Sequence, residues 1–130
     1  MREILFRGRC NEVGKYNGHW IEGHYGEDEG RNEIFFSTKI GTVGYSCEPE
    51  SIGQYTGLTD KNGKKIFEGD ICRMKADRLK GYGAIIFMGS AFVLCDKTHK
   101  KTRYYPLYPD GQFTVVGNVH DNPELLEVTK

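Results

Sequence analysis

The sequence predicts a mainly β fold, with an N-terminal region of β-hairpins and sheet over residues 1–58 and a small barrel over residues 59–130. Two observations carry this reading. The chain has 17 glycines in 130 residues, and its 8 tyrosines and 7 phenylalanines fall in short apolar runs between Gly, Asn and Asp turns. Its length fits one domain on the usual scale of roughly 100–200 residues, enough for a core without disulfide or metal staples.

The elements follow in order. Ile4 to Arg9 is the first strand. Tyr16 and Trp20 flank an Asn17-Gly18 step, a strong hairpin signal. The polar segment Glu27 to Asn32 is a loop, and Glu33 to Ser37 and Gly41 to Tyr45 are short strands. Pro49-Glu50-Ser51 opens a single helical turn, and Ser51 to Leu58 is the next strand. Five more strands are expected: Asp70 to Lys75, Tyr82 to Met88, Ala91 to Cys95, Arg103 to Leu107 and Phe113 to Val119. Met88 to Ala91 and Asp110-Gly111 supply turns. Phe113, Val115 and Val119 fall on one face of the last strand. Arg73 to Gly83 reads as a long connecting loop, because Gly81 and Gly83 stop any helical turn. Asn122 and Pro123 mark a short C-terminal helical turn, with Asn122 as N-cap and Leu125 and Leu126 docking it on the barrel. Five short strands opened by a Gly-Asp pair resemble an SH3-like barrel, a likeness of fold that says little about function.

The stretch from Gln54 to Asp70 is the most distinctive. Asp60-Lys61-Asn62-Gly63 opens like a calcium loop, but Lys64 and Lys65 fall where such a loop needs an oxygen ligand and a glycine. It reads better as a hairpin turn, with Gly63 in the left-handed position. Glu68 and Asp70, two apart, are the one carboxylate pair that suggests acid–base chemistry. A turn explains them more simply, with Gly69 at positive φ and Asp70 accepting backbone N–H bonds. Gln54, Tyr55 and Thr56 are left as a candidate binding surface, with Tyr55 facing inward.

Eighteen basic side chains balance eighteen acidic ones, which lowers the expectation of non-specific nucleic-acid binding. The one basic cluster, Lys97, Lys100, Lys101 and Arg103, lies beside Tyr104-Tyr105, and basic residues beside aromatics suit single-stranded nucleic acid. Lys75, Arg78 and Lys80 join it if the two loops lie together. Cys10, Cys47, Cys72 and Cys95 include no Cys-x-x-Cys pair and are expected to be reduced. His19 and His24 point to opposite faces of a strand, so no metal site is expected. No P-loop, dinucleotide fingerprint or nucleophile elbow is present, and neither catalysis nor a cofactor is expected. The N-terminus, MREILFRGRCNE, has no apolar signal core, and no stretch approaches the roughly 20 apolar residues of a membrane span. A cytoplasmic protein is expected.

PESIGQYTGLTDKNGKKIFEGDIC, the later VVGNVHDNPELL and the opening REILFRGR together resemble the YopX family of phage and prophage proteins. The resemblance implies a single YopX-like domain over residues 1–130, a β-rich fold, a phage or prophage origin and a bacterial cytoplasm. It implies no established reaction. The expected role is that of a non-enzymatic accessory protein that binds a host or phage protein or its own copies as a homo-oligomer. Nucleic-acid binding through the Lys97–Arg103 cluster is the alternative.

Overall fold

The computed structural model describes residues 4–76, 78–107 and 112–127. It divides into two compact units, residues 1–55 and 56–130. The fold is mainly β, as expected, in two antiparallel sheets. One has the strand order β4-β3-β2-β1-β5-β6 and the other β10-β9-β8-β7-β11. The strands are β1 (Phe6–Arg9), β2 (Trp20–Asp28), β3 (Arg31–Thr38), β4 (Gly41–Ser46), β5 (Gly53–Thr59), β6 (Lys65–Phe67), β7 (Asp70–Ala76), β8 (Leu79–Met88), β9 (Ala91–Asp96), β10 (Arg103–Pro106) and β11 (Phe113–Asn118). Single 3-10 turns span Pro49–Ser51 and Pro123–Leu126. Among the described residues, no helix is long and apolar enough to cross a membrane.

In the first unit, the expected loop over Glu27–Asn32 is a tight turn. Asp28 pairs with Arg31, and Glu29 and Gly30 take φ of 51° and 78°. Positive φ at both central positions is what a right-twisted hairpin requires. The Asn17-Gly18 step does turn the chain, but it joins no strand on its N-terminal side. Arg9 pairs with Trp20 directly, and residues 11–19 form an excursion closed by Cys10 N–H to His19 O at 2.9 Å and Gly18 N–H to Cys10 O at 2.8 Å. The core of this unit is Cys10, Ile21, Ile34 and Cys47, with Phe6, Tyr16, Phe36, Tyr45 and Ile52 packed around them.

In the second unit, Ile66, Cys72, Met74, Ile85, Leu94, Tyr105 and Phe113 form the core. The turn from Met88 to Ala91 is as expected, with Gly89 at φ 67°. The expected loop from Arg73 to Gly83 is instead a continuous hairpin, β7 pairing with β8 from Ile71↔Ala84 to Ala76↔Leu79. Gly81 and Gly83 lie inside β8 because neighbours press on them. A Cβ at Gly83 would lie 1.9 Å from the Cys95 carbonyl oxygen, and one at Gly81 would lie 3.0 Å from the Tyr105 ring. Gly83→Ala is therefore expected to destabilise the chain by at least about 3 kcal/mol, read as a fall in the urea midpoint. Backbone cannot yield there without parting β8 from β9.

The sheet of this unit is not closed. Its end strands β10 and β11 do not pair, so the expected barrel is an open sheet. The outer edge of β11 is taken up otherwise: Lys61 N–H donates to Phe113 O at 3.0 Å, and Val115 N–H donates to Asp60 Oδ2 at 3.0 Å. A second departure lies within β11. Its register shifts between Val115 and Gly117, so the expected alternation does not continue to Val119. The Asn122 side chain caps no helical N–H; it accepts from Asn118 N–H at 3.2 Å. The C-terminal turn is held by its backbone, with Tyr82 Oη donating to Leu125 O at 2.9 Å, while Leu126 remains exposed. The expected Asp110-Gly111 turn lies outside the described residues.

Candidate functional site

Gln54, Tyr55 and Thr56 lie on β5, with Tyr55 facing inward and Gln54 and Thr56 half-buried. Gln54 pairs with Phe6. Tyr55 is buried, and its N–H donates to Leu5 O at 2.7 Å. Thr56 Oγ1 donates to Ile66 O at 2.8 Å and accepts from Leu58 N–H at 3.2 Å. Glu68-Gly69-Asp70 is a turn, with Gly69 at φ 94°. Asp70 is buried, and its Oδ2 accepts the Phe67 N–H at 2.7 Å. A carboxylate so engaged is a turn element first.

A concave feature of the second unit lies elsewhere. Arg73, Lys75, Lys80, Thr98 and His99 line a groove of about 460 Å³, with Met74, Gly81, Tyr82 and Asp96 completing its walls. The β7–β8 hairpin thus meets the β9–β10 connection, which is the condition for Lys75 and Lys80 to extend the basic cluster. Lys97, Lys100, Lys101 and Arg103 are all exposed on that connection or at its edge. Lys97 lines a smaller neighbouring pocket with Ala84, Ile86, Cys95 and Leu126.

Register explains why the cations converge. Lys75 is directly opposite Lys80, and Arg73 opposite Tyr82, so all four project on one face of the hairpin. Among the described residues, none of Arg73, Lys75 or Lys80 makes an ion pair. Like charges directly opposite each other in a sheet destabilise it. Tyr104, 48% exposed, is the register partner of Cys95, itself opposite Ala84. It therefore shares the sheet face that Tyr82 occupies.

Asp96 is the groove's carboxylate, and it is already engaged. It is 1% exposed. Its Oδ1 accepts the Thr98 N–H at 2.8 Å and hydroxyl at 2.6 Å, and its Oδ2 accepts the Tyr82 N–H at 3.1 Å. His99 Nε2 lies 3.4 Å from the same Oδ2. Burial works against this charge, but the donations from Thr98 and Tyr82 and the nearness of His99 outweigh it and hold the carboxyl below its ordinary range. Asp60 behaves alike: burial opposes its charge, and the Val115, Lys64 and Asn62 N–H groups overcome it. Both folded values lie below the unfolded value of about 3.9. Their contribution is therefore fully present above that pH and is lost as pH falls through the folded values. Stability is expected to fall below about pH 4, with a shallower acid limb in Asp96→Asn, read by circular dichroism against pH.

The cluster at Lys97–Arg103 was legible in the sequence. Arg73 and His99 were not singled out: Arg73 lay where the expected strand Asp70–Lys75 overlaps the expected loop from Arg73, and His99 lay inside the cluster without a role of its own. The signal that would have found Arg73 is the alternation Arg73, Met74, Lys75, which places both cations on one strand face. Among the described residues, no group of three or more His, Cys, Asp or Glu side chains is placed to hold a metal ion.

Comparison with known proteins adds the following. The family model described as YopX protein matches residues 6–127. The crystal structure of protein EF1440 from Enterococcus faecalis is similar over 97% of this chain and 99% of that one, at 23% identity and a TM-score of 0.45. A search of the curated proteins returns no match.

Proposed function

The chain belongs to the YopX family, and from that premise we propose that it is a non-enzymatic binding module whose second unit holds single-stranded nucleic acid by its phosphates. One observation carries the reading: Lys75 faces Lys80 beside Arg73 in a groove whose own carboxylate, Asp96, is engaged by backbone and Thr98. That arrangement costs stability unless an anion offsets it. Residues 56–130 hold twelve basic and nine acidic side chains, and three of the acids, Asp60, Asp70 and Asp96, are buried. The neutral total thus conceals a basic surface on this unit. The exposed Tyr104 ring shares the sheet face of Arg73, Lys75 and Lys80 and offers a stacking platform, which favours nucleic acid over an acidic protein. The four-strand meander β7–β10, with β11 returned beside β7, supports the SH3-like comparison as a fold reading. A phage or prophage origin and a place in the host cytoplasm belong to the same proposal, as does any homo-oligomer.

Fluorescence anisotropy of a labelled single-stranded oligonucleotide, titrated with the full chain at several salt concentrations, tests it. The logarithm of affinity is expected to fall with the logarithm of salt at a slope of about −0.7 per phosphate held, roughly −3 in all. Absence of binding at low salt would sink the nucleic-acid reading and return attention to a protein partner.

A further inference from the structure

We propose that Cys10 and Cys47 form a redox clasp: a dithiol that a low-molecular-weight disulfide oxidises to an intrachain disulfide, locking the first unit closed. The two are direct partners in an isolated antiparallel bridge. The flanking bonds identify its kind. Asn11 N–H donates to Ser46 O at 3.0 Å, and Glu48 N–H donates to Arg9 O at 2.9 Å. The bonds thus join the residues on either side of the pair, so Cys10 and Cys47 occupy a non-hydrogen-bonded site. Such sites bring Cα atoms to about 4.5 Å, within the roughly 4.4–6.8 Å that a disulfide spans.

The surroundings agree. A Cβ at Gly8 would lie 3.0 Å from Cys47 Cβ and 3.1 Å from its Sγ, so the glycine leaves room for that side chain beside Cys10. Both thiols are free and 1% exposed. Burial first, and the nearness of Cys10 next, push the Cys47 thiol up to about 11. It is therefore protonated at neutral pH, and the reduced pair persists until an oxidant reaches it. The other two cysteines have no such geometry. Cys72 is opposite Gly83 and Cys95 is opposite Ala84, so their side chains leave opposite faces of the sheet.

The chemistry balances as two exchanges. One cysteine, as thiolate, attacks a sulfur of the small disulfide and expels one small thiolate. The second cysteine then attacks the protein sulfur of the mixed disulfide and expels the other. One S–S bond forms in the protein as one breaks in the oxidant. Two electrons pass to the oxidant, and the two thiol protons end on the expelled thiolates. The product ties the end of β1 to the end of β4, strands that are not neighbours in the sheet order, and closes the loop from residue 10 to residue 47. Cross-linking a loop of that length restricts the unfolded chain.

The test needs no variant. The folded full chain is incubated with oxidised glutathione, quenched in acid, alkylated in denaturant and digested without reductant. Mass spectrometry is expected to find a Cys10–Cys47 cross-linked peptide, with Cys72 and Cys95 alkylated. The oxidised chain is expected to melt at a higher temperature, and dithiothreitol is expected to remove that gain. Four alkylated cysteines after exhaustive oxidation, a different pairing, or a cross-link that forms only in denaturant would each overturn the proposal.

Discussion

Asp60→Ala is expected to destabilise residues 56–130 by about 3 kcal/mol or more. The side chain is 5% exposed. Its Oδ1 accepts the Asn62 and Lys64 N–H groups at 2.8 and 2.9 Å, and its Oδ2 accepts the Val115 N–H at 3.0 Å. Alanine leaves three donors without this acceptor: the Asn62 and Lys64 N–H groups, on exposed residues, each lose a hydrogen bond worth about 0.5–1.5 kcal/mol, and the half-buried Val115 N–H costs about 1–3 kcal/mol. The change also frees the outer edge of β11, which Asp60 and Lys61 otherwise occupy. Asp60→Asn separates the two roles. Its single carbonyl oxygen can keep the turn, but its amide then faces the Val115 N–H, donor against donor. The asparagine variant should therefore lose roughly half as much stability as the alanine variant. Amide hydrogen exchange at Val115 should speed up in both, while the Asn62 and Lys64 amides stay protected only in Asp60→Asn. Equal loss in the two variants would mean that the link to β11 carries nearly all the effect.

Lys75→Glu is expected to move binding and stability in opposite directions. The new carboxylate stands opposite Lys80, so a like-charge pair becomes an opposite-charge pair, worth about 0.2–1 kcal/mol in favour of the fold. The same change removes one phosphate contact and adds repulsion. Oligonucleotide affinity should fall at least about tenfold, with the salt slope smaller by about 0.7. A residue that served the sheet alone would not give this split. If Lys75→Glu is more stable and binds unchanged, the groove is not the binding surface. In that case Lys100→Glu and Lys101→Glu test whether the exposed β9–β10 connection acts without it.

Much of the fold was legible because local chemistry dictated it. Asp-Lys-Asn-Gly-Lys at residues 60–64 makes a turn wherever it is placed, and Gly63 takes its left-handed φ of 83° as expected. Glu68-Gly69-Asp70 likewise became a turn feeding β7, with Asp70 bonded to backbone. The errors came where distant residues decided. Gly81 and Gly83 read as breakers, since a glycine inside a strand usually weakens it. They lie within β8 because the Tyr105 ring and the Cys95 carbonyl leave no room for a Cβ. The expected barrel is an open sheet, and Asp60 and Lys61, from the turn before β6, bond to the edge of β11.

The candidate site divides in the same way. Lys97, Lys100, Lys101 and Arg103 are neighbours along the chain, and a sequence displays such a cluster directly. Arg73, Lys75 and Lys80 joined them only through the β7–β8 register and the groove it shares with Thr98 and His99. The Cys10–Cys47 pair is the plainest case, since the two residues are far apart in the chain and meet as direct partners in one bridge. By itself, the sequence determined the β class, most turns and the family, because these rest on short-range backbone preferences and contiguous motifs. The tertiary structure alone decided which charges and which thiols face each other, because register is set by core packing between residues far apart in the chain.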